Sequence, residues 1–214
     1  MDSSASTNTR NIQILRSSIS YAFNRRFSLQ LRNDYEWLNR RRNNDESGDS
    51  FSPDAQFELI DTPSVKYAFH FRVITPDDSI GNKLTTLAPA LAGWYDLSNL
   101  GLDRTSFYYS AQDKEFVGPA NSGTRRNAFV GTVSLAKAWT RANPSGFGHF
   151  MTFVDVVDSY AIDGDVTDRN LVVVRPGLRI NLWGNSVLMG AIDFPVVTTT
   201  NEDAVYRLAY IFNF

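Results

Sequence analysis

Cysteine is absent from the 214 residues, which excludes disulfides, thiolate metal sites and cysteine nucleophiles, and leaves the redox compartment open. Histidine is nearly absent, with His70 and His149 the whole complement. Neither accompanies a Gly-x-Ser-x-Gly elbow, so imidazole-based catalysis has little to build on, and no enzyme activity is expected. No sign of charge dominates: 21 Lys and Arg stand against 23 Asp and Glu, a formal net charge of -2. That balance gives no electrostatic pull toward nucleic acid. Every apolar run is broken by charge within a few residues, so no membrane helix is expected. Membrane strands escape that exclusion, because they hide their apolarity by alternation.

Also missing at the start is the basic and apolar pattern of a secretory signal, since residues 1–10 form a polar segment, MDSSASTNTR. Either the protein is cytosolic or this is a mature form restarted with Met, and the patterns that follow favour the second. No glutamate closes the loop Ile162-Asp163-Gly164-Asp165-Val166-Thr167-Asp168 into a calcium site, and Asp155 and Asp158 fall on opposite strand faces. No metal and no cofactor are expected.

What the chain has in quantity is aromatic residues, 13% of the total with 15 Phe. They recur with a period of two. Phe27, Leu29, Leu31, Tyr35 and Trp37 alternate with Ser28, Gln30, Arg32, Asp34 and Glu36. Val65, Tyr67, Phe69, Phe71 and Val73 alternate with Lys66, Ala68, His70 and Arg72. The same period runs through Val172 to Leu182, Leu188 to Val196 and Tyr206 to Phe214. Weaker members are Leu15 to Phe23, Phe57 to Asp61, Leu87 to Leu97, Thr105 to Ala111, Phe129 to Trp139 and Phe150 to Tyr160. Leu84 to Ala92 suits a short helical turn as well as a strand.

Short polar connections such as Asn24-Arg25-Arg26 and Asp61-Thr62-Pro63-Ser64 alternate with longer ones, among them Leu38 to Pro53, Thr75 to Lys83 and Gln112 to Arg126. Short turns at one rim and long loops at the other are how outer-membrane barrels are built. The expected fold is all-β: one domain over residues 1–214, a single antiparallel transmembrane β-barrel. Single-chain bacterial barrels have an even strand number, so about twelve strands are expected, with ten as the alternative.

In such a barrel the polar faces line the lumen. Arg32, Asp34, Glu36, Lys66, His70, Arg72, His149, Asp155, Arg175, Arg179, Asp193 and Arg207 are the candidate lining residues. Unpaired charge in a narrow barrel is costly, so the two signs should pair across strands, with Asp193 placed between the strand of Arg175 and Arg179 and that of Arg207. Pro89 and Pro176 lie on apolar faces inside strands, where each removes a ladder hydrogen bond. They and Gly190 are candidates for bulges, strand ends or a subunit interface.

The closing segment Ala204-Val205-Tyr206-Arg207-Leu208-Ala209-Tyr210-Ile211-Phe212-Asn213-Phe214 resembles the C-terminal signature of Gram-negative outer-membrane β-barrels. That family ends in an aromatic residue, usually Phe, preceded by apolar or aromatic residues at alternate positions, here Tyr206, Leu208, Tyr210, Phe212 and Phe214. The resemblance implies an outer-membrane location, recognition by the barrel-assembly machinery and a periplasmic C-terminus. Within the family, small porin-like channels are most similar in size. The function expected is a narrow, charge-lined passage for small hydrophilic solutes. The alternatives are a non-conducting structural or lipid-organising oligomer and, third, an outer-membrane lipid hydrolase. Expected partners are outer-membrane lipids, lipopolysaccharide phosphates near Arg40-Arg41-Arg42, and further copies of the chain in a homo-oligomer.

Overall fold

The computed structural model describes residues 11–39, 46–75, 85–117, 127–141, 148–162, 170–182, 186–197 and 204–212. They form eleven strands: β1 (Asn11–Ala22), β2 (Phe27–Asn39), β3 (Glu46–Asp61), β4 (Val65–Ile74), β5 (Thr85–Asp96), β6 (Thr105–Val117), β7 (Ala128–Ala138), β8 (Phe150–Ala161), β9 (Asn170–Asn181), β10 (Ser186–Val197) and β11 (Val205–Phe212). A single 3-10 turn, Ser98–Leu100, joins β5 to β6. All the strands belong to one antiparallel sheet whose spatial order is the chain order, the arrangement that short connections impose. The all-β, antiparallel expectation holds. The count differs from twelve or ten, and among the described residues no pairing joins β1 to β11.

Two segments expected to be connections are strand, and so is a third that the sequence leaves open between a helical turn and a strand. The supposed connection Leu38 to Pro53 is taken up largely by the end of β2 and the start of β3, with Leu38 paired to Glu46 and Leu31 to Pro53. Gln112 to Val117 continues β6 against β5 and β7. Leu84 to Ala92 falls mostly in β5, held extended by ladders to β4 and β6 on both sides. In each case low local apolarity or a helix-compatible run is overridden by pairing, since strand preference depends on context more than on composition. The contrast of short and long connections also weakens. On the rim of the short turns, strand bounds leave residues 97–104 and 139–149 as connections, as long as those opposite.

Turns are closed by local chemistry. The Asn24 side-chain oxygen accepts hydrogen bonds from the backbone N–H of Arg26 (2.8 Å) and Phe27 (2.9 Å), an Asx turn. The Asp96 carboxylate accepts from the Ser98 backbone N–H (2.9 Å) and hydroxyl (2.6 Å). Gly101 then turns the chain with φ 83°, where a residue without Cβ carries no strain.

Neither proline marks a bulge. The register shifts fall instead beside Leu59 of β3 and Val196 of β10. Pro89 stays in register with Phe71 of β4, while the ladder to β6 opens between Leu87–Glu115 and Ala90–Gln112 and resumes unshifted. Pro176 behaves alike: it pairs with Val154 of β8, and the ladder to β10 opens between Gly177–Ala191 and Val174–Phe194. A missing N–H thus interrupts one ladder without slipping it. Gly190 pairs with Leu178 and Leu208, and a Cβ added there would meet only the Arg207 carbonyl oxygen at 4.0 Å. Close packing within the chain does not require this glycine.

The sheet has one covered face and one bare face. Among the described residues no large side chain is fully buried. The buried positions of the covered face are small or polar, Ser52, Asp54, Thr86, Ala88, Ala92, Val187, Ala191 and Asp193, and on the other face Thr105 and Ser186 are buried as well. The bare face carries Phe51, Phe57, Phe71, Leu91, Val133, Leu135, Val154, Val156, Leu178, Phe194, Tyr206, Leu208 and Tyr210, all exposed.

Candidate functional site

Pairing register puts many of the charged side chains of successive strands on the covered face, where they gather in two groups. The first spans β2 to β6. Arg32 and Asp34, two positions apart on β2, form a two-pronged ion pair whose Nε–Oδ1 arm is 2.7 Å. On β3, Asp54 lies opposite Arg72 of β4 and is only 4% exposed. Arg72 donates to Asp54 Oδ2 through Nη2 (2.7 Å) and Nε (3.2 Å). His70 stands on the other side, its Nδ1 3.8 Å from Asp54 Oδ1, an oxygen without a hydrogen-bond partner. Lys114 of β6 completes the group, half-buried and within electrostatic reach of Arg72 and Arg32.

The second group spans β8 to β11. Asp193, 5% exposed, accepts from Arg175 (Nε to Oδ1 2.6 Å, Nη2 to Oδ2 3.2 Å) and from Arg207 (Nε to Oδ2 2.7 Å). Arg175 also reaches Asp155 at 3.6 Å. One carboxylate therefore clamps two guanidiniums across three adjacent strands, which offsets the desolvation of all three charges. The sequence places Asp193 between these arginines, and the structure joins them.

The remaining candidates sit less centrally. Lys66 is exposed at the turn rim and pairs with Asp61 at 2.9 Å. Arg179 shares the covered face by register, between Met151 and Met189, but is exposed. His149, expected on a strand face, instead immediately precedes β8, where its carbonyl accepts the Asn181 N–H at 3.0 Å; a residue of the connection has no strand face. Glu36 pairs through its backbone with Ile14 and Gly48, and its side chain lies outside the described set. Of the C-terminal signature, Tyr206, Leu208 and Tyr210 point to the bare face, 80%, 80% and 62% exposed. Phe212 pairs with Ser186, and Phe214 lies outside the described residues. Two members of the first group, Asp54 and Lys114, escape the sequence reading because both fall in or beside segments read as loops. The signal was there in Ser50, Ser52, Asp54 and Gln56 at alternate positions.

The bare face has its own order. Near the turns at one end, Tyr21, Phe23, Phe27 and Phe57 form a chain of ring contacts at 4.9, 5.3 and 4.8 Å between centroids. Tyr67, Tyr95, Phe107 and Tyr109 continue the band at the same end, with the Tyr67 and Tyr95 hydroxyls hydrogen-bonded. The Tyr109 ring lies over Gly93, where a Cβ would stand 2.5 Å from its Cε1. Toward the opposite end come Phe51, the cross-strand pair Phe129 and Tyr160, and Tyr206. Between the two bands are mainly aliphatic residues.

Among the described residues, no helix is long and apolar enough to cross a membrane, which says nothing of strands, and no group of three or more His, Asp or Glu gathers as a metal site. What the two groups offer chemically is fixed charge on a covered surface. No protein-family model and no curated protein matches the chain.

Proposed function

We propose that the sheet is the wall of an outer-membrane-type β-barrel and that its covered, charged face lines a narrow passage for small hydrophilic solutes. The observation that carries this reading is the inverted distribution of side chains: charge covered, large apolar residues bare. In water each large apolar side chain left exposed forgoes about 1.5–3 kcal/mol, and here many of them share one face of the sheet. Lipid around that face recovers the loss. The two aromatic bands with aliphatic residues between them match the girdles that flank the apolar belt of a membrane barrel.

Closure of the barrel belongs to the proposal. In hydrocarbon an unpaired backbone group costs several kcal/mol, so the free edges of β1 and β11 require partners. The C-terminal resemblance supports assembly by the barrel-insertion machinery and contact with outer-membrane lipids and lipopolysaccharide, and the same reading takes the chain as a homo-oligomer without enzyme activity.

Planar-bilayer recording tests the passage. Protein refolded in detergent and showing heat-modifiable migration on a gel is expected to give discrete conductance steps. Heat-modifiable protein that inserts and yields no steps refutes the passage and moves the function to the outer wall.

A further inference from the structure

The ion pairs of the first charged group leave one cation over. Asp34 is engaged by Arg32, and Asp54 by Arg72 with His70 beside it. Lys114 has no carboxylate or other acceptor among the described residues. Its chain neighbours Asp113 and Glu115 cannot serve it, because they stand on the opposite face, paired with Phe129 and Leu87. The pairs Leu87–Glu115 and Ala90–Gln112 bracket Lys114 and put it beside Ala88, which is paired on its other side with Arg72 and is 0% exposed. Arg72 and Lys114 thus flank a residue too small to separate them. Neighbouring positions on this face are also small, with Ala90, Ala92 and Ser110 leaving room above the sheet. A half-buried ammonium held across Ala88 from a guanidinium, with no counter-charge among the described residues, costs free energy unless an anion joins it.

We propose that Lys114, with Arg72 beside it across Ala88, is an anion subsite on the covered face that takes the carboxylate or phosphate group of a small anionic solute. The subsite rests on the reading of this face as a solute passage, and gives that passage a charge preference. Lys114 supplies the uncompensated charge; Arg72 and Arg32, held in place by Asp54 and Asp34, keep competing cations away and present remaining N–H donors.

Two measurements on the refolded full-length chain test it. Reversal potential across a potassium chloride gradient is expected to show preference for chloride, lost in Lys114→Gln and inverted in Lys114→Glu. Lys137→Gln, which alters a lysine of the opposite face, leaves the preference unchanged. Separately, titration of the detergent-folded protein with inorganic phosphate, followed by phosphorus NMR line broadening, is expected to show binding that Lys114→Gln abolishes. Conductance with no anion preference, or phosphate binding that survives Lys114→Gln, overturns the subsite. Phosphate binding that depends on Lys114 in a protein without conductance steps refutes the passage and upholds the subsite.

Discussion

Asp193 illustrates what a single residue does in this sheet. Its carboxylate is the common acceptor of Arg175 and Arg207, and Arg175 is shared in turn with Asp155. Replacing it with Asn keeps the volume and removes the charge, leaving two guanidiniums to repel each other on a covered surface. The expected loss is about 2–4 kcal/mol, less than for a fully buried pair because Arg207 is 44% exposed. Denaturant unfolding of the vesicle-inserted protein measures it, and a midpoint equal to that of the parent refutes the clamp. The glycines at the same scale act by absence. Gly177 makes room for the Phe153 ring on the covered face, as Gly93 does for Tyr109 on the bare one.

At the scale of the strand, pairing decides what local preference leaves open. β5 contains Leu-Ala-Pro-Ala-Leu-Ala, a run rich in helix-forming residues, yet it is extended over Thr85–Asp96 between two ladders. Its proline opens only the ladder to β6. Pro89→Ala restores one N–H facing that strand and is expected to stabilise the sheet by up to about 1 kcal/mol. Amide exchange should show a new protected proton at residue 89; an unprotected amide there would show that the opening has another cause. The Leu59 and Val196 bulges are devices of the same scale. Each inserts a residue, so that Leu59 with Ile60, and Val196 with Val197, stand exposed side by side where alternation alone would turn one of them to the covered face.

For the whole molecule the issue is which solvent each face meets. Trp139 immediately follows β7, 59% exposed, and its Nε1 donates at 2.8 Å to Oγ1 of Thr152, a residue of the bare face. Trp94 lies on the covered face, in register with Lys66 and Tyr108. In single-tryptophan variants reconstituted into vesicles, brominated acyl chains should quench Trp139 strongly and Trp94 weakly. Equal quenching, or quenching of Trp94 alone, is incompatible with lipid on the bare face.

Much of this architecture was legible from residue order. Period-two alternation is a local property, so the strong strands, the parity of Arg32, Arg72, Arg175, Asp193 and Arg207, and the outward set Tyr206, Leu208 and Tyr210 follow from spacing alone. Alternation fails where a strand's outward residues are themselves polar or small, as in Glu46–Asp61, and there Asp54 was hidden. Which charges meet is a matter of register between strands, because a slip of one residue sends every side chain to the other face. Only the tertiary structure therefore decided that Asp54 belongs to Arg72, that Asp193 takes Arg175 rather than Arg179 beside Arg207, and that Lys114 has no carboxylate partner among the described residues.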